Sequence, residues 1–168
     1  MLNPLHSEIS YLNRVKAQSE VLVPILNCLR TELGEERANA LIYGALREWS
    51  REAFAEAASA KKGSGYEIWQ AMDEELAALT GNDITYETQK DDSSSLELDV
   101  TRCKFAQFFK ALGEPELGSI LACEVDHHLT AASQQEVHLE IDKRIMKGDE
   151  LCDFRYKFEA AESGNSNG

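Results

Sequence analysis

The feature that most limits what this chain can fold into is a change of hydrophobic period near Asp83. Up to Leu79, apolar residues recur every three or four positions, the spacing of one helical face. From Ile84 onward they recur at every second position, the spacing of one face of a strand. A chain that keeps each period to its own stretch must lay helices against a sheet.

The helical half divides at its glycines. Leu12, Val15, Val21, Leu22, Ile25, Leu26 and Leu29 form a first stripe, with Pro24 expected to break the helix or open its first turn and Gly34 to cap it. Cys28 reads as packing within that stripe. A second helix is expected from Glu35 through Leu41, Ile42, Ala45, Trp49 and Phe54, and a third over 66–79. Trp49 and Trp69 fall at core spacing, while Asp73-Glu74-Glu75 reads as a solvated face. Beyond the switch, Ile84, Tyr86 and Thr88 alternate with polar neighbours, 90–94 reads as a polar turn, and Leu96, Leu98 and Val100 alternate again.

A short helix from Lys104 closing at Gly113, then one helix over 115–132, separate this hairpin from a second over 137–141 and 152–158, turned at Lys147-Gly148-Asp149. The expected fold is α+β: a helical N-terminal half, then an antiparallel sheet of two hairpins with helices packed on one face. Residues 1–160 read as a single domain and 161–168 as a flexible tail.

With 168 residues, 43% of them apolar, the chain has material for one sizeable core. The opening residues carry neither a basic leader nor an apolar signal core, and no apolar run approaches a membrane span. The expected location is cytoplasmic, with all four cysteines reduced. The net charge of −13 repels nucleic-acid phosphates and anionic lipid, which argues against nucleic-acid and membrane partners. The expected partner is a small molecule, and self-association into a homo-oligomer stays open.

Three cysteine clusters remain. Cys103 stands at a strand-to-helix junction between Arg102 and Lys104, where the helix dipole and two cations would favour a thiolate; the alternative is a small residue buried under Phe105 and Phe108. Cys123, Asp126 and His127 are spaced i, i+3, i+4, which suits a thiol with a carboxylate base, a Cys–His pair or part of a metal site. The alternative places Cys123 in the apolar stripe with Ile120 and His127-His128 in solvent. Cys152 and Asp153 are adjacent on a strand and point to opposite faces, Cys152 toward the helices with Phe154, Tyr156 and Phe158, and Asp153 away with Arg155. There Cys152 can be a core residue and Asp153–Arg155 an ordinary cross-strand pair.

In order, Asp99-Val100-Thr101-Arg102-Cys103, Phe108-Phe109-Lys110, Leu112-Gly113-Glu114-Pro115-Glu116-Leu117-Gly118, Cys123-Glu124-Val125-Asp126, Met146-Lys147-Gly148 and Cys152-Asp153-Phe154-Arg155-Tyr156 resemble the L-2-amino-thiazoline-4-carboxylic acid hydrolase family over roughly residues 95 to 158. The resemblance implies hydrolytic opening of a small heterocycle, a cyclic amidine, imide or urea, at a C–N bond that is not a peptide.

On that footing Cys123 or Cys103 is the expected nucleophile, Asp126 or Asp153 the acid–base group, and Arg102 or Arg155 the grip on a substrate carboxylate. No cofactor is expected. The rival readings are metal-assisted hydrolysis, with Cys103, Cys123, Cys152 and Asp126 or His127 holding a divalent ion such as zinc or manganese, and a non-enzymatic ligand-binding or thiol-sensing module. If the site lies between helices and sheet, the three thiols converge there and Asp126 is favoured over Asp153.

Overall fold

The computed structural model describes residues 8–159; the expected tail lies outside them, as does the opening segment expected to carry no leader. Helix α1 (Tyr11–Leu33) is capped at Ser10, whose hydroxyl accepts the Asn13 N–H. It runs unbroken through Pro24, against the expected break. Pro24 and Glu20 are both exposed, so water can satisfy the Glu20 carbonyl that the missing N–H leaves free. Gly34, at φ 82°, separates α1 from α2 (Glu35–Ser59). Helix α3 (Gly65–Thr80) opens with a capping box in which Ser64 and Glu67 satisfy each other's backbone N–H groups.

Strands β1 (Ile84–Asp92) and β2 (Ser95–Cys103) form the first hairpin. Its turn is tighter than expected, because the Asp92 carboxylate gathers the N–H groups of Ser94 and Ser95. Helix α4 (Lys104–Leu112) ends at Gly113 in the left-handed region, φ 79°. The single helix expected over 115–132 is divided. A short α5 (Pro115–Gly118) passes into a π turn over Ser119–Cys123, closed by the Glu124 N–H donating to the Ser119 carbonyl, before α6 (Val125–Ala131). Gly118 lets this segment close on Phe109: a Cβ there would stand 2.5 Å from the ring.

Strands β3 (Val137–Glu140) and β4 (Cys152–Phe158) complete an antiparallel sheet in the order β1-β2-β4-β3. The helices pack on one face, and the fold is α+β. One apolar cluster joins α1–α6 to that face, with Phe109, Leu26, Met72, Leu117 and Ile120 fully enclosed. Across it Arg30 of α1 grips Glu114 through both terminal guanidinium nitrogens, at 2.5 and 3.0 Å.

Two expected packing residues are on the surface instead. Cys28 is exposed, and Trp49 is 39% exposed. Trp69 is a core anchor, at 3%. Among the described residues, no helix is long and apolar enough to cross a membrane.

Candidate active site

A cavity of about 240 Å³ lies between the helices and the sheet. Cys103, Cys123, Cys152 and Asp126 all line it; Arg102, Asp153 and Arg155 do not. Each placement has a local cause.

Cys103 owes its direction to a bulge. Strict alternation along β2 would send Val100 and Cys103 to opposite faces. The register moves from Thr85↔Arg102 to Tyr86↔Val100, so Thr101 is the extra residue. Thr101 and Arg102 are both exposed, and Cys103 returns to the cavity side. It also caps α4, its sulfur accepting the Ala106 N–H at 3.4 Å. The expected cationic field is weaker than the sequence suggested, because Lys104 pairs with Asp83 at 3.0 Å. Burial raises the Cys103 thiol above its ordinary value, opposed by the N–H groups of Ala106 and Phe105.

Cys123 ends the π turn. It and Asp126, three residues on, both line the cavity, whereas His127 stays exposed outside that lining. Burial, then the neighbouring Cys103 and Cys152 thiols and Asp126, push Cys123 up to about 12. Cys152 is buried on β4, and its sulfur accepts the Ile145 N–H at 3.2 Å. Burial raises this thiol too.

Asp126 accepts the Tyr156 hydroxyl at 3.0 Å. Burial raises its carboxyl to about 7, with the Tyr156 hydrogen bond opposing and the charge of Asp73 adding. Asp73 itself stands at about 6, through burial and then Glu74. The two carboxyls therefore titrate near neutrality, the charge of Asp73 adding to the proton affinity of Asp126.

Asp73 is no part of a solvated face. With Leu76, Ala77 and Thr80 it forms an i, i+3, i+4, i+7 stripe of α3, and all four line the cavity. That spacing was visible in the sequence beneath the acidic run.

Arg144, which carried no motif, is the one Lys or Arg lining the cavity. Its guanidinium lies 3.1 Å from His127 Nε2, which must accept and so carries no proton. Desolvation, then the Arg144 charge, lowers the His127 pKa in agreement. The loop that carries Arg144 is tied down by residues expected in the chemistry. Asp153 accepts the N–H groups of Asp142 and Lys143 at 3.0 and 2.6 Å, and Cys152 holds Ile145. Burial works against the Asp153 charge, but those N–H donors outweigh it and keep the carboxyl below its ordinary value. Arg155 pairs with Asp99 at 2.7 Å and reaches the Leu98 carbonyl. Among the described residues, no three His, Cys, Asp or Glu side chains are spaced to hold a metal ion.

Thiols, two raised carboxyls and one cation facing an apolar chamber suit addition and proton transfer on a small, partly charged molecule. No curated protein matches this sequence. A family pattern does, over residues 14–156, so that it takes in the helices as well as the cysteine clusters. The chain belongs to the L-2-amino-thiazoline-4-carboxylic acid hydrolase family.

Proposed function

We propose that this protein opens a small cyclic amidine, of the 2-aminothiazoline-4-carboxylate type, by adding water across a ring C–N bond. The observation that carries the reading is Asp126: a carboxyl set in a cavity wall, held near 7, in the company of three thiols and a guanidinium. A group at that value can take a proton and return it at neutral pH.

Cys103 is the preferred nucleophile. All three cavity thiols are raised, so none rests as a thiolate. Two N–H groups at the start of α4 stand ready for the charge on Cys103, whereas Cys123 sits among other thiols and a carboxylate at about 12. Asp126 takes the Cys103 proton as sulfur attacks the amidine carbon. The C–N bond of the ring breaks, and its nitrogen leaves as an amine carrying the proton returned by Asp126. Water then adds to the same carbon and releases the Cys103 thiol. The sum is one water gained and an S-carbamoyl product. Arg144 receives the substrate carboxylate, held in place by His127 and by the loop contacts of Cys152 and Asp153.

The high thiol values favour one second reading, in which Asp126 and Asp73 activate water directly and no covalent intermediate forms. Intact-protein mass spectrometry under single turnover separates the two. An adduct on Cys103 that is lost in Cys103→Ala, together with turnover, supports covalent catalysis. Near-normal turnover by both Cys103→Ala and Cys123→Ala refutes it and leaves the carboxylate pair.

A further inference from the structure

Much of the cavity is unrelated to the reacting groups. Ile84, Tyr86, Leu98, Phe154 and Ile141 line it and offer one polar side-chain atom between them, the Tyr86 hydroxyl. The sheet register puts these residues next to the chemistry. Val100 pairs with Cys152 on one side and Tyr86 on the other, and two residues along β2, Leu98 pairs with Phe154. The Phe154 ring stacks on Tyr156 at 6.2 Å and 19°, and Tyr156 holds Asp126. An apolar floor thus leads from the acid–base residue to edge strand β1. There Tyr86 stands 53% exposed, a large aromatic left at the rim.

The chamber is also roomy: about 240 Å³ is open to water-sized occupants, many times the roughly 10–15 Å³ that a single water requires. An apolar chamber of that size beside a bound polar head is wasted on water, which finds few partners there.

Resting on the hydrolase reading above, we infer that the heterocycle opened by this protein carries an apolar substituent, aryl or branched alkyl, seated on Leu98 and Phe154 and bounded at the rim by Tyr86. Its charged head lies at Arg144 and Asp126, and the substituent supplies binding that the small ring alone lacks.

The test compares 2-aminothiazoline-4-carboxylate with its analogue bearing a phenyl group on ring carbon 5, by calorimetric binding and by kcat/KM. The phenyl analogue is expected to bind at least tenfold more tightly and to show a correspondingly higher kcat/KM. Tyr86→Ala should lower the ratio of the two kcat/KM values by about tenfold, and Tyr86→Phe should keep it. Equal affinity for both ligands, or an unchanged ratio in Tyr86→Ala, overturns the inference while turnover leaves the hydrolase reading standing. Preferential binding of the phenyl analogue without turnover of either compound supports the apolar subsite and removes the hydrolase reading on which ring opening rests.

Discussion

Replacing Asp126 by Asn should make the protein more stable while stopping its chemistry. In the folded chain burial lifts this carboxyl from its ordinary value of 3.8 to about 7. Between those values the folded state holds a proton that the unfolded chain has released. The contribution of Asp126 to stability is thus favourable below pH 3.8, falls as pH rises through the window, and levels off above 7. Once the group is fully ionised, the penalty is about 4 kcal/mol. At pH 5 it is about 2 kcal/mol, because the unfolded carboxyl is already largely ionised there.

Asn removes the charge and can still accept the Tyr156 hydroxyl at the position Asp126 holds, 3.0 Å away. Asp126→Asn should therefore gain up to about 4 kcal/mol at pH 8 and about 2 at pH 5, or roughly 2 M and 1 M in urea midpoint for an m-value near 2 kcal/mol/M. Urea unfolding of both proteins at the two pH values is the assay. A variant that is less stable at pH 8, or a gain that does not depend on pH, would refute the assignment of a destabilising buried charge. Functional residues commonly stand in such opposition to stability.

Arg144→Met should raise KM for a carboxylate-bearing substrate by about 30-fold, the loss of roughly 2 kcal/mol of charged hydrogen bonding, with kcat changed by less than fivefold. Steady-state kinetics decides, and a fall in kcat with KM unchanged would place Arg144 in the chemical step instead. Away from the cavity, Glu114→Ala leaves Arg30 without its bidentate partner in a largely buried setting and should cost about 3 kcal/mol, a fall in Tm of roughly 6–12 °C. A Tm within 2 °C of the parent by calorimetry would show that water replaces Glu114 at no loss.

The α+β fold was legible because the period switch near Asp83 is a local property, and both strand faces followed from alternation. Features set by one extra residue were not. The π turn at Ser119–Cys123 and the bulge at Thr101 each leave the run of residue types unchanged, yet the first divides the expected helix and the second returns Cys103 to the cavity side. Pro24 was misleading because its effect depends on whether the Glu20 carbonyl meets water. Asp73 was hidden by its neighbours: three acids in a row suggest solvent, and only the packing of α3 over the sheet separates Asp73 from Glu74 and Glu75. Arg144 lies in an irregular loop with no period to read. Its position depends on backbone contacts from Asp153 and Cys152, a role that the Cys152-Asp153 motif does not reveal. The cluster order pointed to the family, and the side of the sheet on which each residue lies decided which of them share a cavity.

The most direct measurement on the central claim is the mass of the product. Purified protein incubated with 2-aminothiazoline-4-carboxylate or its 5-phenyl analogue in ¹⁸O-labelled water should convert one of them to a species heavier by one labelled water, with the label in the carbamoyl group and a free amine released at the former ring nitrogen. Recovery of both compounds unchanged, at substrate concentrations where calorimetry shows them bound, would contradict it.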